Sequence, residues 1–250
     1  MKTKKRFLGI LLGLALVLGL MPGMSLTAFA DTTTYDPAST YAGFGELASG
    51  DDTVKIAGVL GYDWYVMGYD SDAGTVTLLS KQSFGNQDFN SDISKGNSYA
   101  DSDIKTYVEG LTGEGQPLAG IKDALASVSV TDPAVTGKVP YLLSSLEWYS
   151  SSETNVTKMK GEGTDWWLRS PGEYGNAAKL VHGGNGDLDE YNVNNLFGVR
   201  PALKLDLSNV VFDSETKTFA IPYPLRVGGM QVTCENLSGD GWSYDDGRKT

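Results

Sequence analysis

The 250-residue chain contains one cysteine, Cys234, and one histidine, His182. A lone cysteine excludes an intramolecular disulfide and a cysteine cluster for structural zinc. A lone histidine, with no G-x-S-x-G stretch in the chain, leaves a serine hydrolase without its elbow. Basic residues are scarce: 20 Lys and Arg face 31 Asp and Glu, for a formal net charge of −11. Such a chain repels nucleic acid and anionic membrane surfaces.

The one long apolar run lies at the N-terminus. Lys2, Lys4, Lys5 and Arg6 precede an apolar core at 7–20, Pro22 and Gly23 interrupt it, and Ala28-Phe29-Ala30 offers the small residues of a cleavage site. This is the pattern of a secretory signal peptide over 1–30, with no membrane span expected after its removal. The rival, an uncleaved anchor, needs a longer core. Export without disulfides points to a secreted or cell-surface protein of a Gram-positive-type bacterium.

Residues 31–53 are rich in Thr, Ser, Gly and Asp and read as a flexible leader. From Val54 the chain reads as a β-meander, with Trp64 and Val66 opposing Tyr65 and Met67 across one strand. Asp101 or Ser102 caps a predicted helix carrying Ile104, Tyr107, Val108 and Leu111. A second short helix is predicted after Gln116, a short strand over 139–143, and a brief helix from a Ser144/Glu147 capping box. The last third returns to strands: 165–170, 177–182, a turn at 183–187, 188–193, and one long strand over 198–207. Strands, then helices, then strands indicate an α+β domain over 54–212. Residues 213–250 read as a linker and truncated β-module, so the sequence is expected to be an N-terminal fragment.

Two long motifs, WWLRSPG at 166–172 and GVRPALKLDLS at 198–208, stand in a fixed order around a glycine-containing turn. Together with DWYVMGYD, YADSDIKTYVEGL and VPYLLSSLEW upstream, they resemble a family of secreted bacterial domains of unknown function. That family is in turn remotely similar to C-type-lectin-like folds, the formylglycine-generating-enzyme group among them. The resemblance implies a twisted antiparallel sheet flanked by two main short helices. It does not bring the formylglycine-generating activity, because the required pair of cysteines is missing. The tail resembles the start of a β-solenoid-like repeat of bacterial surface proteins.

The candidate ligand-binding residues are Trp167, Arg169, Tyr174, Tyr191, Asn192 and Asn194. The aromatics can stack on a sugar or peptide, the arginine can clamp an anion, and the amides can donate and accept. The competing reading packs Trp167 beneath a loop or the returning GVRPAL strand, with Arg169 buried and paired. Asn185, Asp187 and Asp189 place oxygens at alternate positions and are the candidate calcium ligands, but the run lacks the Gly and Glu of an EF-hand. The competing reading is a polar hairpin turn. His182, at a strand-turn junction, reads as a solvated turn residue. No catalytic residue is assigned. The expected function is a non-enzymatic extracellular binding or adhesion module whose partner is a glycan or a protein. The alternatives are a structural spacer and a secreted hydrolase using paired carboxylates.

Overall fold

The computed structural model describes residues 52–151, 153–161 and 163–221, with Phe44 and Leu47 before them and 225–227 and 230–232 after. The expected signal peptide, most of the expected leader and Cys234 lie outside the described residues. No described helix is long and apolar enough to cross a membrane.

The described chain is α+β, with more strand than helix. At its centre β2 (Trp64–Asp70), β3 (Thr75–Ser80) and β11 (Ala202–Asp206) form an antiparallel sheet in the order β11-β3-β2. This sheet is buried on both faces, which is why its alternation is apolar against apolar. Trp64, Val66, Val76, Leu78, Leu203 and Leu205 enter one core with Phe44 and Phe219. Tyr65, Leu79 and Ala202 enter the other, which holds Trp148, Trp166 and Trp167. A bulge between Val66 and Gly68 interrupts the β2–β3 register.

A second, five-stranded sheet runs β4-β10-β7-β8-β9, from β4 (Asn86–Gln87), β10 (Phe197–Gly198), β7 (Trp166–Pro171), β8 (Ala177–Val181) and β9 (Leu188–Asn192). Helix α1 (Asp103–Gly110) starts where Ser102 accepts from the Lys105 amide at 3.2 Å, as its cap position predicts. It sends Ile104 and Val108 into the Trp-rich core and leads Leu111 to the other. Helix α2 (Ser145–Tyr149) carries the full predicted capping box between Ser144 and Glu147.

Several expectations are corrected. The stretch 198–207 is not one strand: the chain leaves the five-stranded sheet after β10 and joins the central sheet at β11. Pro201 supplies no amide to a ladder, and Arg200 ties the crossing down through Nε to Ser80 O at 2.8 Å and Nη1 to Met159 O at 2.5 Å. The predicted second helix is a 3-10 turn, Ala119–Ala124. Residues 139–143 contribute one bridge, Tyr141 to Ala202, rather than a strand. The hairpin of β5 (Val128–Val130) and β6 (Val135–Gly137) and helix α3 (Glu153–Met159) were not expected. The outer bounds also shift. Phe44, within the expected leader, packs on Phe212 and Phe219 at 5.0 and 5.7 Å between ring centroids. Past the expected boundary, β13 (Thr218–Ala220) pairs in parallel with β1 (Lys55–Ile56) and antiparallel with β12 (Val211–Asp213), joining the two ends of the fold. Apolar side chains explain both extensions, since leaving Phe44 and Phe219 in water forgoes about 2 kcal/mol each.

Candidate functional site

Strand β7 carries the adjacent tryptophans, and both rings are inside. Trp166 donates its indole N–H to Lys160 O at 2.8 Å, meets Trp148 edge-on at 5.4 Å, and lies under the Arg200 guanidinium at 4.6 Å. Trp167 donates to Gln87 O at 2.9 Å and is wedged edge-on between Phe89 at 5.8 Å and Phe197 at 5.0 Å. It is 0% exposed, so it offers no face for stacking, and the competing packing reading describes its place.

Arg169 is equally buried. Its Nε donates to Pro133 O at 2.8 Å, Nη1 to Leu142 O at 2.7 Å and to the Glu147 carboxylate, and Nη2 to Thr131 O at 3.1 Å. The anion-clamp expectation is thus corrected: the anion is internal, and the guanidinium pins the β5–β6 turn and the segment before α2 to β7. The β7–β8 register slips between Trp167 and Pro171, and the Arg169 amide donates to Leu143 O at 2.9 Å instead. Pro171 lies within the strand, opposite Ala178.

The remaining candidates gather on the β8–β9 hairpin and the turn before it. Tyr174 is 68% exposed and Tyr191 38% exposed, and Asn192 and Asn194 are exposed. The Tyr174 turn abuts β9: Asn176 Nδ2 donates to Asn192 Oδ1 at 3.3 Å, and the Glu173 amide donates to Glu190 Oε2 at 2.7 Å. Asn97 fastens the turn from the other side through Nδ2 to Tyr174 O at 3.0 Å and Ala177 O at 2.9 Å. Lys179 pairs with Glu190 at 2.8 Å across the hairpin, and with the Glu173 amide it holds the Glu190 carboxyl below the usual carboxylate range.

Tyr191 is backed by Phe197, edge-on at 5.2 Å, and Phe197 is backed by Trp167. Its ring also lies edge-on to the His182 ring, 6.4 Å between centroids. The face therefore ends a continuous ladder of rings that begins in the core.

The candidate calcium oxygens are hydrogen-bonded within the turn, on β9 and to His182. Asn185 and Asp187 bond to one another within the turn, Asn185 Nδ2 donating to the Asp187 carboxylate and the Asp187 amide to Asn185 Oδ1 at 3.1 Å. Asp189 Oδ1 accepts the Glu190 amide at 2.8 Å, and Oδ2 lies 3.2 Å from His182 Nε2. Each donor already has another partner, and among the described residues no group of three His, Cys, Asp or Glu could hold a metal ion.

His182 is the residue that sequence reasoning undervalued. Its Nδ1 lies 3.1 Å from Asp165 Oδ2, opposite the Asp189 contact. Hydrogen bonding to Asp189 and then to Asp165 raises its pKa above the ordinary value of 6.5. The Glu190 amide, and then His182 itself, lower that of Asp189. The Asp165 partnership joins residues 17 apart and gives no local signal.

A family model described as a domain of unknown function (DUF6273) matches residues 121–207, which include both motifs up to β11 and the whole β8–β9 hairpin. No curated protein and no solved structure matches the chain.

Proposed function

We propose that the chain is a non-enzymatic extracellular binding module of a bacterial surface protein, taking a glycan or protein ligand on the hairpin face built by Tyr174, Tyr191, Asn192 and Asn194. The observation that carries this reading is the exposed Tyr191 ring, packed edge-on against Phe197 and edge-on to the His182 ring. A ring fixed before binding loses little freedom when a sugar or apolar group stacks on it, and neighbouring amides supply hydrogen bonds. The burial of Trp167 and Arg169 moves the proposed site away from WWLRSPG and onto the hairpin. The same reading places the domain among C-type-lectin-like folds, supported by the pairing of β1 with β13 near the two ends of the described chain.

Glycan-array and pull-down screening of the full chain tests the proposal. The expected result is capture that Tyr191→Ala abolishes while the circular dichroism spectrum is unchanged. Turnover of a substrate by a chain that retains no ligand overturns it in favour of a hydrolase.

A further inference from the structure

We propose that His182 is an acid-set latch: as an imidazolium it ties Asp165, ahead of β7, to Asp189 on β9, and the hairpin loosens when the ring loses its proton. The consequence for ligand capture rests on the binding reading of Tyr191, whereas the latch is a property of the free chain.

The argument is geometric. The two ring nitrogens face two different carboxylates, Nδ1 to Asp165 Oδ2 at 3.1 Å and Nε2 to Asp189 Oδ2 at 3.2 Å. Neutral imidazole has one N–H and one lone pair. In either tautomer one nitrogen would point its lone pair at a carboxylate oxygen, which repels it. Only the doubly protonated ring donates to both.

The surroundings favour that charge. From the segment before β7 comes Asp165, whose Oδ1 is fixed by the Gly183 amide at 3.0 Å. From β9 come Asp189 and the Tyr191 ring. In the turn, Asp187 adds a carboxylate partnered by Asn185, while the nearby Lys179 is engaged by Glu190 at 2.8 Å. The shift of His182 above 6.5 agrees with this arrangement. A group whose folded pKa is raised contributes fully below its unfolded value of 6.5 and loses the contribution as pH rises through the folded pKa. The latch is therefore shut in mild acid and opens on the alkaline side.

Opening leaves at most one of the two bridges and returns an uncompensated carboxylate to β9 two residues before Tyr191. Since the Tyr191 ring meets His182 edge-on, capture on this face is expected to be stronger in mild acid.

His182 is the only histidine, so ring ¹⁵N–¹H spectra of the labelled full chain give one titration curve. The expected result is a pKa above 6.5, with both ring nitrogens protonated below it. Asp165→Asn and Asp189→Asn should each lower that pKa. Hydrogen-exchange protection of the β9 amides should fall severalfold as the ring deprotonates, and His182→Gln should remove that dependence. A wild-type pKa at or below 6.5, or β9 protection unchanged through the titration, overturns the latch. These readouts use no ligand. A chain that titrates as expected but captures nothing would overturn the binding reading and leave the latch standing.

Discussion

Replacing Glu147 with Ala isolates the charge on which the β7 motif depends. One Glu147 oxygen, Oε2, accepts both the Ser144 amide at 2.7 Å and Arg169 Nη1. Truncation leaves the Arg169 guanidinium in the interior with the Thr131, Pro133 and Leu142 carbonyls and no anion. An unpaired buried charge costs about 3–5 kcal/mol. The carboxylate is 27% exposed, so water screens the pair and favours the lower end of that range. The lost arm of the capping box adds about 0.5–1 kcal/mol, while Ser144 Oγ still accepts the amide of residue 147. The sum is about 4 kcal/mol, a large share of the 5–15 kcal/mol that holds a typical domain together.

Urea unfolding followed by tryptophan fluorescence reads this loss directly, because Trp148 and Trp166 sit in the same core. The midpoint should fall with an unchanged denaturant slope. Arg169→Met should also destabilise, but the double variant should cost less than the two single costs combined, with a coupling of about 2 kcal/mol or more. If Glu147→Ala costs under about 1 kcal/mol, the pair behaves as a surface ion pair and the reasoning fails.

Three further outcomes follow from the same geometry. Gly183→Ala would drive a Cβ into Thr164 O and Thr164 N, both backbone atoms, so thermal unfolding should show a loss of about 3 kcal/mol or more. Gly184→Ala, with nothing within 4 Å of its Cβ, is the control and should change little. Trp167→Phe loses the bond to Gln87 O and part of the ring, and should cost about 1–3 kcal/mol in the same urea assay. Asp103 has its pKa lowered from 3.8 to about 2 by the Lys95 bond first and then the Ser91 amide. A depressed folded pKa gives stability present above 3.8 and lost as pH falls through about 2, so Asp103→Asn should remove that acid-dependent slope from melting curves.

What the sequence made legible was local. The Ser102 cap and the Ser144/Glu147 box each lie within one turn, and each stands where the residue pattern puts it. Alternation in β2 was equally readable, but not that both of its faces are internal, because that depends on partners elsewhere in the chain. The break in 198–207 was hidden for the same reason: the acceptors that hold Arg200 belong to Ser80 and Met159. Helix α3 escaped notice because Val156 and Thr157 are β-branched and weaken the helical signal. At the candidate site, Tyr174, Tyr191 and the asparagines could be picked out as polar and aromatic residues of a turn-rich region. Their support by Asn97 and Phe197, and the bridging role of His182, depend on contacts across the fold.

The WWLRSPG and GVRPAL segments pack against each other. Arg200 of GVRPAL lies over Trp166, and Trp167 is wedged against Phe197, the residue just before that motif. These contacts lock the two segments together and leave both tryptophans with no exposed face. They also bear on Tyr191, because the ring ladder from Trp167 through Phe197 ends there. Tyr174, on its turn and 68% exposed, is backed by no other aromatic ring among the described residues. Ordering a loose aromatic on binding costs about 0.5–1.5 kcal/mol that a pre-set ring avoids. Tyr191→Ala should therefore weaken capture more than Tyr174→Ala, and Phe197→Leu, which keeps Tyr191 but removes its backing, should produce an intermediate loss. Equal losses from the two tyrosine variants, with Phe197→Leu silent, would sink the argument that the Trp167–Phe197 packing pre-sets the Tyr191 ring.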